Sequence, residues 1–271
     1  MPELPEVETT RRGIEPHVVG RTVARLVVRN PRLRWRVTEK LVRELSGQTI
    51  HSVTRRGKYL LLSTAAGTAI LHLGMSGSLR VVPCTQPADA HDHVDIVLDN
   101  GDCLRLHDPR RFGALLWTRD DPHRHKLLRD LGPEPLSPDF SGDHLFEKSR
   151  RRKRAIRDFL LDSRIVAGIG NIYANEALFA AGLRPTRAAG RINRAQYQQL
   201  AEAIRETLSR ALKAGGTTLR DFRRSDGKPG YFQLSLNVYG REGEPCLVCR
   251  TPIRARRLGQ RSAFFCPKCQ A

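Results

Sequence analysis

The sequence lacks long apolar runs, internal repeats and a balancing number of acidic residues. No stretch approaches the roughly 18 uncharged apolar residues of a membrane-spanning helix, so a helical membrane protein is excluded. The opening segment MPELPEVETT holds acidic residues and no apolar block, so we expect no signal peptide. These absences predict a cytoplasmic protein.

Acidic residues are too few to balance the basic ones. The chain has 47 Lys and Arg against 28 Asp and Glu, a formal net charge of +19 over 271 residues. Such an excess makes the compact state repel itself and indicates a polyanionic partner. Arginine dominates the basic residues, and its planar guanidinium suits phosphate and base-edge recognition. The charge therefore favours nucleic acid as the partner over an anionic membrane surface.

Residues 1–130 have the pattern of β-structure. Apolar and polar positions alternate in four runs, as in strands with one buried face. Asn100-Gly101 is a strong hairpin signal within the last run. Before the strands, Pro5–Ile14 has proline near its start and early glutamates, which predicts a short helix. We expect an antiparallel β-sandwich with a leading helix, its strands at Thr22–Val28, Thr49–Ser63, Thr68–Val82 and Val94–Asp108.

Beyond residue 130 the pattern changes from strands to helices. The segment LGPEPLSPDF (131–140) holds three prolines and one glycine, which predicts a linker or domain edge. Apolar residues then recur at helical spacing, which predicts helices over Asn171–Ala181 and Arg194–Ala214. Seven basic residues and no acidic one lie within KSRRRKRAIR (148–157), a solvated charged face or a phosphate-binding stretch.

Four of the six cysteines crowd into the last 26 residues. Cys246-x2-Cys249 and Cys266-x2-Cys269 are separated by 16 residues, a spacing typical of a zinc site. With four thiolates completing the tetrahedron, we expect one structural Zn²⁺ with no open position for catalysis. The intervening hairpin carries several arginines, Arg261 among them, and predicts a basic finger on a phosphate backbone.

The N-terminus offers a nucleophile. Removal of Met1 exposes the secondary amine of Pro2, and an α-amino group has a pKa of about 7.7–8.0, so part of it is unprotonated near neutral pH. Attack on C1′ of a damaged nucleoside displaces the base and gives an iminium, which acidifies the neighbouring sugar C–H and drives elimination. Glu3 is placed to exchange protons, and Glu6 to position the amine. A capped helix start after a disordered terminus is the alternative interpretation of these residues.

A series of motifs along the whole chain resembles the formamidopyrimidine-DNA glycosylase family. They occur in one order from Pro2 to Cys269 and cover nearly the full length. They are MPELPEVETTRRGIEPHVVG, RRGKYLLL, HLGMSGSLR, HDPRRFG, GIGNIYANEALF, SDGKPGYFQ, VYGREGEPC and the terminal zinc finger.

The resemblance implies a multidomain α+β fold with three parts. These are an N-terminal β-sandwich catalytic domain (1–132), a helix-two-turn-helix DNA-binding domain with a lesion loop (133–237) and a zinc finger (238–271), with DNA in the cleft between. It implies a monomer that removes 8-oxoguanine and formamidopyrimidines from double-stranded DNA and then cuts the strand by β,δ-elimination.

The resemblance also implies the roles of single residues. Pro2 is the nucleophile, Glu3 the general acid/base, Glu6 an essential helper, and Lys58 the contact to the phosphate beside the lesion. Other expected DNA contacts are His72, His91, Arg157, Asn171 and Arg261.

Base extrusion leaves a gap in the helix that side chains must fill. The resemblance assigns this to Met75, Arg110 and Phe112, a pliable thioether, a planar cation and a wedge-shaped ring. Residues 217–231 resemble a loop that closes over the everted purine.

Two features depart from the simplest case. Arg157 stands where many relatives carry lysine, and the resemblance assigns it no contact with the lesion itself. Met1 must also be absent, because a retained methionine blocks the Pro2 amine.

Two other functions remain as alternatives. An endonuclease VIII-type glycosylase for oxidised pyrimidines shares the terminal proline, but Leu4, the separated Met75 and Arg110/Phe112 segments and the 217–231 loop count against it. A non-catalytic zinc-finger DNA-binding protein accounts for the charge and the cysteines, but it does not need the PELPE terminus.

Overall fold

The computed structural model describes residues 1–215 and 236–271. These residues form two compact units, one of residues 1–130 and 214–215 and one of residues 131–213 and 236–271. The loop expected at 217–231 lies outside the described residues. Within the described ranges, no helix is long and apolar enough to cross a membrane.

The first unit is a β-sandwich with a leading helix, as predicted. Two four-stranded antiparallel sheets have the strand orders β1-β6-β7-β5 and β2-β3-β4-β8. Apolar side chains from both sheets and from the helices share one core. The elements are α1 (Leu4–Val18), β1 (Val23–Val28), α2 (Glu39–Leu45), β2 (Ser52–Arg56), β3 (Tyr59–Thr64), β4 (Gly67–His72), β5 (Ser78–Pro83), β6 (Asp92–Leu98), β7 (Asp102–His107) and β8 (Ala114–Thr118).

Helix α1 begins immediately after the N-terminal residues of interest. Pro5 lies in its first turn, where a missing N–H is tolerated. Glu3 stands at the N-cap, and its backbone N–H donates to Oε2 of Glu6 at 2.9 Å. Leu4, Val7, Ile14 and Val18 are buried and fix the helix on the core. The start of the chain is therefore held in place by the helix that follows it.

The second unit is helical and ends in a β-hairpin. Its helices are α3 (Gly142–Ser149), α4 (Ile156–Leu160), α5 (Asn171–Ala180) and α6 (Arg194–Lys213), and the hairpin strands are β9 (Arg254–Leu258) and β10 (Arg261–Phe265). Strands β9 and β10 pair antiparallel between the two cysteine pairs. This confirms the expected helical part and cysteine finger.

Three expectations differ from the fold in detail. The run Thr49–Ser63 forms two strands, β2 and β3, and the run Thr68–Val82 forms β4 and β5. The leading helix continues past Ile14 to Val18. Helix α2 and strand β8 were not expected; α2 has only seven residues, too few for an amphipathic period to emerge from the sequence.

Candidate active site and nucleic-acid interface

The N-terminal carboxylates are buried beside Pro2. Glu3 and Glu6 are both almost completely inaccessible, and Pro2 itself is buried. The 2.9 Å bond from the Glu3 N–H to the Glu6 carboxylate fixes the backbone that follows Pro2. A further bond, from the Thr10 hydroxyl to the Glu6 carbonyl at 2.9 Å, holds the first turn. The geometry brings the three residues together as a candidate nucleophile, a proton-exchanging carboxylate in Glu3 and a positioning carboxylate in Glu6.

Lys58 and His72 lie close to each other at one end of the second sheet. Lys58 occupies the turn between β2 and β3, directly before Tyr59, which pairs with His72 in the β3–β4 register. The rings of Tyr59 and His72 are 4.8 Å apart between centroids. The two predicted contact residues are therefore close neighbours in the sandwich.

The protonation state of His72 follows from its surroundings. Burial, together with the charges of Lys58 and Arg34, lowers the pKa of His72 to about 4. Its Nδ1 accepts a hydrogen bond from the Gly74 N–H at 3.0 Å, so the proton of the neutral ring is on Nε2. Neutral His72 can then donate from Nε2 to an acceptor such as a phosphate oxygen.

Met75 and Phe112 lie in two turns that pack against each other. Gly74 has φ +68°, and a Cβ there would lie 2.5 Å from Gly113 N and 2.6 Å from the Phe112 carbonyl carbon. The Gly113 N–H donates to buried Asp108 at 2.7 Å, which pins the second turn. Met75 is 39% exposed and Phe112 44% exposed. We call these two turns, residues 73–77 and 108–113, the wedge turns.

Arg110 and His91 belong to the same region. The Arg110 guanidinium lies over the Phe112 ring, 5.1 Å from its centroid. His91 is exposed, and its carbonyl accepts from the Asp108 N–H at 2.9 Å. Large apolar side chains exposed next to cations are suited to contact nucleobases.

In the second unit, Asn171 is the first residue of α5, and Gly170 is its N-cap. The Asn171 side chain does not cap the helix. Its Nδ2 donates to the Ser262 carbonyl at 2.9 Å, and its Oδ1 accepts from the Arg157 guanidinium at 3.0 Å. Asn171 is thus joined to strand β10, which begins at Arg261. The structure brings these two predicted contact residues into one cluster.

Arg157 has a different environment from the one expected for a DNA contact. Its side chain is 0% exposed, and it donates to Asn171 and to the carbonyl groups of Leu258 and Arg261. The expectation of direct DNA contact is corrected by this burial, because the guanidinium is surrounded by protein acceptors.

Four cysteines form the metal site. Their sulfur atoms all lie within 4.8 Å of one another, with Cys246 and Cys269 3.9 Å apart and Cys249 and Cys266 3.4 Å apart. A tetrahedral zinc with Zn–S bonds of about 2.3 Å needs sulfur atoms about 3.8 Å apart, so the donor set fits. Because all four ligands come from the protein, the ion's contribution is structural.

Two buried residues of α5 have structural roles that the sequence analysis did not predict. Asn175 accepts from the Phe264 N–H at 2.8 Å, so it joins α5 to β10 one turn after Asn171. The Glu176 carboxylate accepts from the backbone N–H groups of Asn237, Val238 and Tyr239 at 2.8–2.9 Å. A signal was present, since both are polar residues within the otherwise apolar segment NIYANEALFA.

Three known domain families match consecutive parts of the chain. Residues 1–115 match the formamidopyrimidine-DNA glycosylase N-terminal domain. Residues 131–223 match the formamidopyrimidine-DNA glycosylase H2TH domain. Residues 243–271 match a zinc finger found in FPG and IleRS.

Full-length relatives and solved structures agree with these matches. Formamidopyrimidine-DNA glycosylases of Nitrosococcus oceani and Pseudomonas entomophila are 58% and 59% identical to this chain, each covering 100% of both sequences. The crystal structure of the MutM (Fpg) protein of Thermus thermophilus is 42% identical, with a TM-score of 0.89 over 99% of this chain and 98% of that one. The Lactococcus lactis Fpg in complex with DNA containing N7-benzyl-Fapy-dG is 35% identical, with a TM-score of 0.93 over 99% of both chains.

Proposed function

The chain belongs to the formamidopyrimidine-DNA glycosylase family, and from this we propose that it excises oxidised purines from duplex DNA and then cuts the strand. The substrates are 8-oxoguanine and formamidopyrimidines. One observation carries the proposal: buried Pro2, Glu3 and Glu6 lie in the same unit as the exposed Met75 and Phe112. Relatives bound to DNA that contains a Fapy-dG lesion or an abasic site support this substrate class.

The first chemical step breaks the glycosidic bond. The Pro2 amine attacks C1′ of the damaged nucleoside, a C1′–N bond forms, and the base leaves with the electron pair of the old bond. The Pro2 nitrogen loses its N–H proton to the departing base, and its lone pair then opens the sugar ring. Glu3 protonates the ring oxygen as it leaves, and an iminium remains at C1′. Because the Pro2 nitrogen is secondary, this cation cannot lose an N–H proton and stays charged.

The charged iminium drives strand cleavage. It acidifies the C2′–H, and removal of that proton expels the 3′ phosphate. Loss of a second proton, from C4′, expels the 5′ phosphate and leaves a one-nucleotide gap. Water then hydrolyses the remaining iminium and restores the Pro2 amine. We assign the proton transfers to Glu3, and the orientation of the N-terminal backbone to Glu6.

We assign DNA contacts to residues of each unit. Lys58 and neutral His72 contact the backbone near the lesion, with His91 on the same unit, while Asn171 and Arg261 contact it from the second unit. Met75, Arg110 and Phe112 fill the gap left by the everted base. The four cysteines hold zinc, which stiffens the hairpin that bears Arg261. We further propose that the enzyme acts as a monomer on the nucleoid, in the cytoplasm.

Borohydride trapping tests the chemistry. An 8-oxoguanine:cytosine duplex is incubated with the protein and borohydride, which reduces the iminium to a stable amine. We expect a covalent adduct that maps to the N-terminal peptide beginning at Pro2. An adduct on a lysine, or none with folded and DNA-binding protein, contradicts the assignment of Pro2. Trapping on duplexes with an oxidised pyrimidine distinguishes the endonuclease VIII-type alternative, which predicts the stronger adduct there.

A further inference from the structure

Arg157 is a buried cation that donates hydrogen bonds to several acceptor groups. Its NH1 group donates to Asn171 Oδ1 at 3.0 Å, and its NH2 group donates to the Leu258 carbonyl at 2.9 Å and to the Arg261 carbonyl at 3.4 Å. The Asp158 carboxylate lies 3.0 Å from NH2. These contacts join the starts of α4 and α5 to the turn of the finger hairpin.

Contact with Arg157 fixes the amide of Asn171. A guanidinium can only donate, so the Asn171 oxygen must face it and the Asn171 nitrogen must point the other way. That nitrogen donates one hydrogen to the Ser262 carbonyl at 2.9 Å. An amide nitrogen carries two hydrogens, so a second remains for an outside acceptor. Without the cation, the Asn171 amide could flip and present its oxygen to a phosphate, which would repel it.

Contact with Arg157 also fixes the backbone of Arg261. Leu258 and Arg261 are paired across the two-residue turn that starts at Gly259, whose φ is +57°. Arg157 donates to the carbonyl groups on both sides of this turn. The exposed Arg261 side chain therefore starts from a backbone position that is set relative to Asn171.

Stability alone does not explain the arrangement. Burial lowers the pKa of Arg157, and Arg261 adds to this effect while Asp158 opposes it. Its Nε is buried without a partner among the described residues. A buried charge that is incompletely paired is often less stabilising than a well-packed apolar side chain.

We propose that Arg157 is a positioning residue that sets the Asn171 amide and the Arg261 turn together, so that both donate to the same DNA phosphate. This inference rests on the proposed function, in which Asn171 and Arg261 contact DNA. Arg157 itself touches no DNA in this arrangement.

A double-mutant cycle tests the proposal. The zinc-loaded protein is titrated with a duplex that carries a tetrahydrofuran abasic analogue, which lacks the C1′ function that the amine attacks. Asn171→Ala and Arg261→Ala should each weaken binding about tenfold, and Arg157→Met by at least as much. Adding Asn171→Ala to Arg157→Met should weaken binding no further. The slope of log affinity against log salt should fall by about 0.9 in Arg157→Met, as for one lost cation–phosphate contact.

Arg184→Met is the matched control. Arg184 also donates to a finger carbonyl, that of Pro267, at 3.0 Å, and also has a buried Nε without a partner among the described residues. Within the described part of the chain, Arg184 forms no hydrogen bond to Asn171 or to the hairpin turn. This control removes the same charge and should leave the salt slope and the tenfold effect of Asn171→Ala unchanged.

The outcomes distinguish an error in the proposed DNA contacts from an error in the positioning role of Arg157. If Asn171→Ala and Arg261→Ala leave affinity unchanged, the DNA contacts in the proposed function are wrong. If they weaken binding but combine multiplicatively with Arg157→Met, the positioning role is overturned. Should Arg157→Met lose zinc or its thermal transition, Arg157→Lys takes its place in the same cycle. That variant keeps fewer donors, should bind with intermediate affinity and should remain coupled to Asn171; full additivity there also overturns the proposal.

Discussion

At the residue scale, the N-terminal proline combines two roles that would normally conflict. Pro2 lies next to the N-cap of α1, where it must be held still, and it must also supply a free amine after Met1 is removed. The buried carboxylate of Glu6 reconciles these demands, because it binds the Glu3 N–H at 2.9 Å and leaves the amine end of Pro2 outside that bond.

Replacement of Pro2 by glycine should separate binding from chemistry. Pro2→Gly keeps a terminal amine but makes it primary, so the iminium can lose a proton and the electron sink is weaker. We expect DNA affinity close to that of the parent and excision slower by at least about a hundredfold, the scale of an effect on a nucleophile and its activation. Single-turnover excision and equilibrium binding on the same 8-oxoguanine duplex measure the two quantities. Unchanged excision would move the nucleophile elsewhere.

His72 should give folding stability a pH dependence of known sign. Its pKa is lowered by burial to about 4 in the folded protein, against about 6.5 when unfolded. Between these values the unfolded state binds more protons, so stability is lost as pH falls from about 6.5 towards about 4. Since only this group is removed in His72→Asn, the difference between the two denaturation curves isolates it. Parallel stability profiles for the parent and His72→Asn would contradict the assigned burial.

At the element scale, the wedge turns depend on close approach of two backbones. Gly74 belongs to the turn after β4, and Gly113 directly precedes β8. A side chain at Gly74 would meet the backbone of the second turn at 2.5–2.6 Å. Exposure of Met75 and Phe112 therefore follows from the packing of the turns that carry them.

Gly74→Ala should destabilise the protein more than the same substitution at another glycine with positive φ. The control is Gly101→Ala, which has φ +87° but no atom within 4 Å of the added Cβ. Both variants pay the cost of a left-handed alanine, about 1 kcal/mol, so their difference reports the clash. We expect Gly74→Ala to lower both the thermal midpoint and the rate of base eversion, followed by 2-aminopurine fluorescence beside the lesion. Equal effects of the two variants would refute the close approach as the cause.

The elements differ in how far the sequence could predict them. Strand alternation and the Asn100-Gly101 turn place β6 and β7 correctly, because Val94, Ile96 and Leu98 share the face of β6 that packs on the core. The motif match also indicates an exposed Met75 and Phe112. It could not reveal that Arg157 is buried, since its partners Leu258 and Arg261 are about a hundred residues away and contribute only backbone carbonyls. Backbone acceptors leave no signature in a sequence.

At the scale of the whole molecule, the net charge of +19 favours DNA binding. The basic side chains must also be held in fixed positions on the surface if they are to contact phosphates. The cysteine finger provides part of that order. Its hairpin presents Arg254, Arg256, Arg257 and Arg261 within ten residues, and the first three of these lie on β9. The like charges of these arginines repel one another, and the two zinc-binding cysteine pairs that flank the hairpin hold the arginines at fixed positions.

Loss of the metal should therefore weaken binding to every duplex. Cys249→Ser removes one of four thiolates, and we expect loss of zinc and weaker affinity for damaged and undamaged DNA alike, with a shallower salt dependence. Zinc content and fluorescence anisotropy at several salt concentrations measure these effects. A fall in lesion preference alone, with undamaged DNA still bound as before, would contradict the backbone role of the finger.

The exposure of Met75 also makes this protein convenient for spectroscopy. The chain has two methionines, Met1 and Met75, and removal of Met1 leaves one. Feeding with [¹³C-methyl]methionine then gives the mature enzyme a single labelled methyl group, 39% exposed on the first wedge turn. One resonance would report processing of the terminus, whereas two would reveal retained Met1. The same signal, followed during titration with lesion DNA, would record whether the thioether enters the base stack before the covalent step begins.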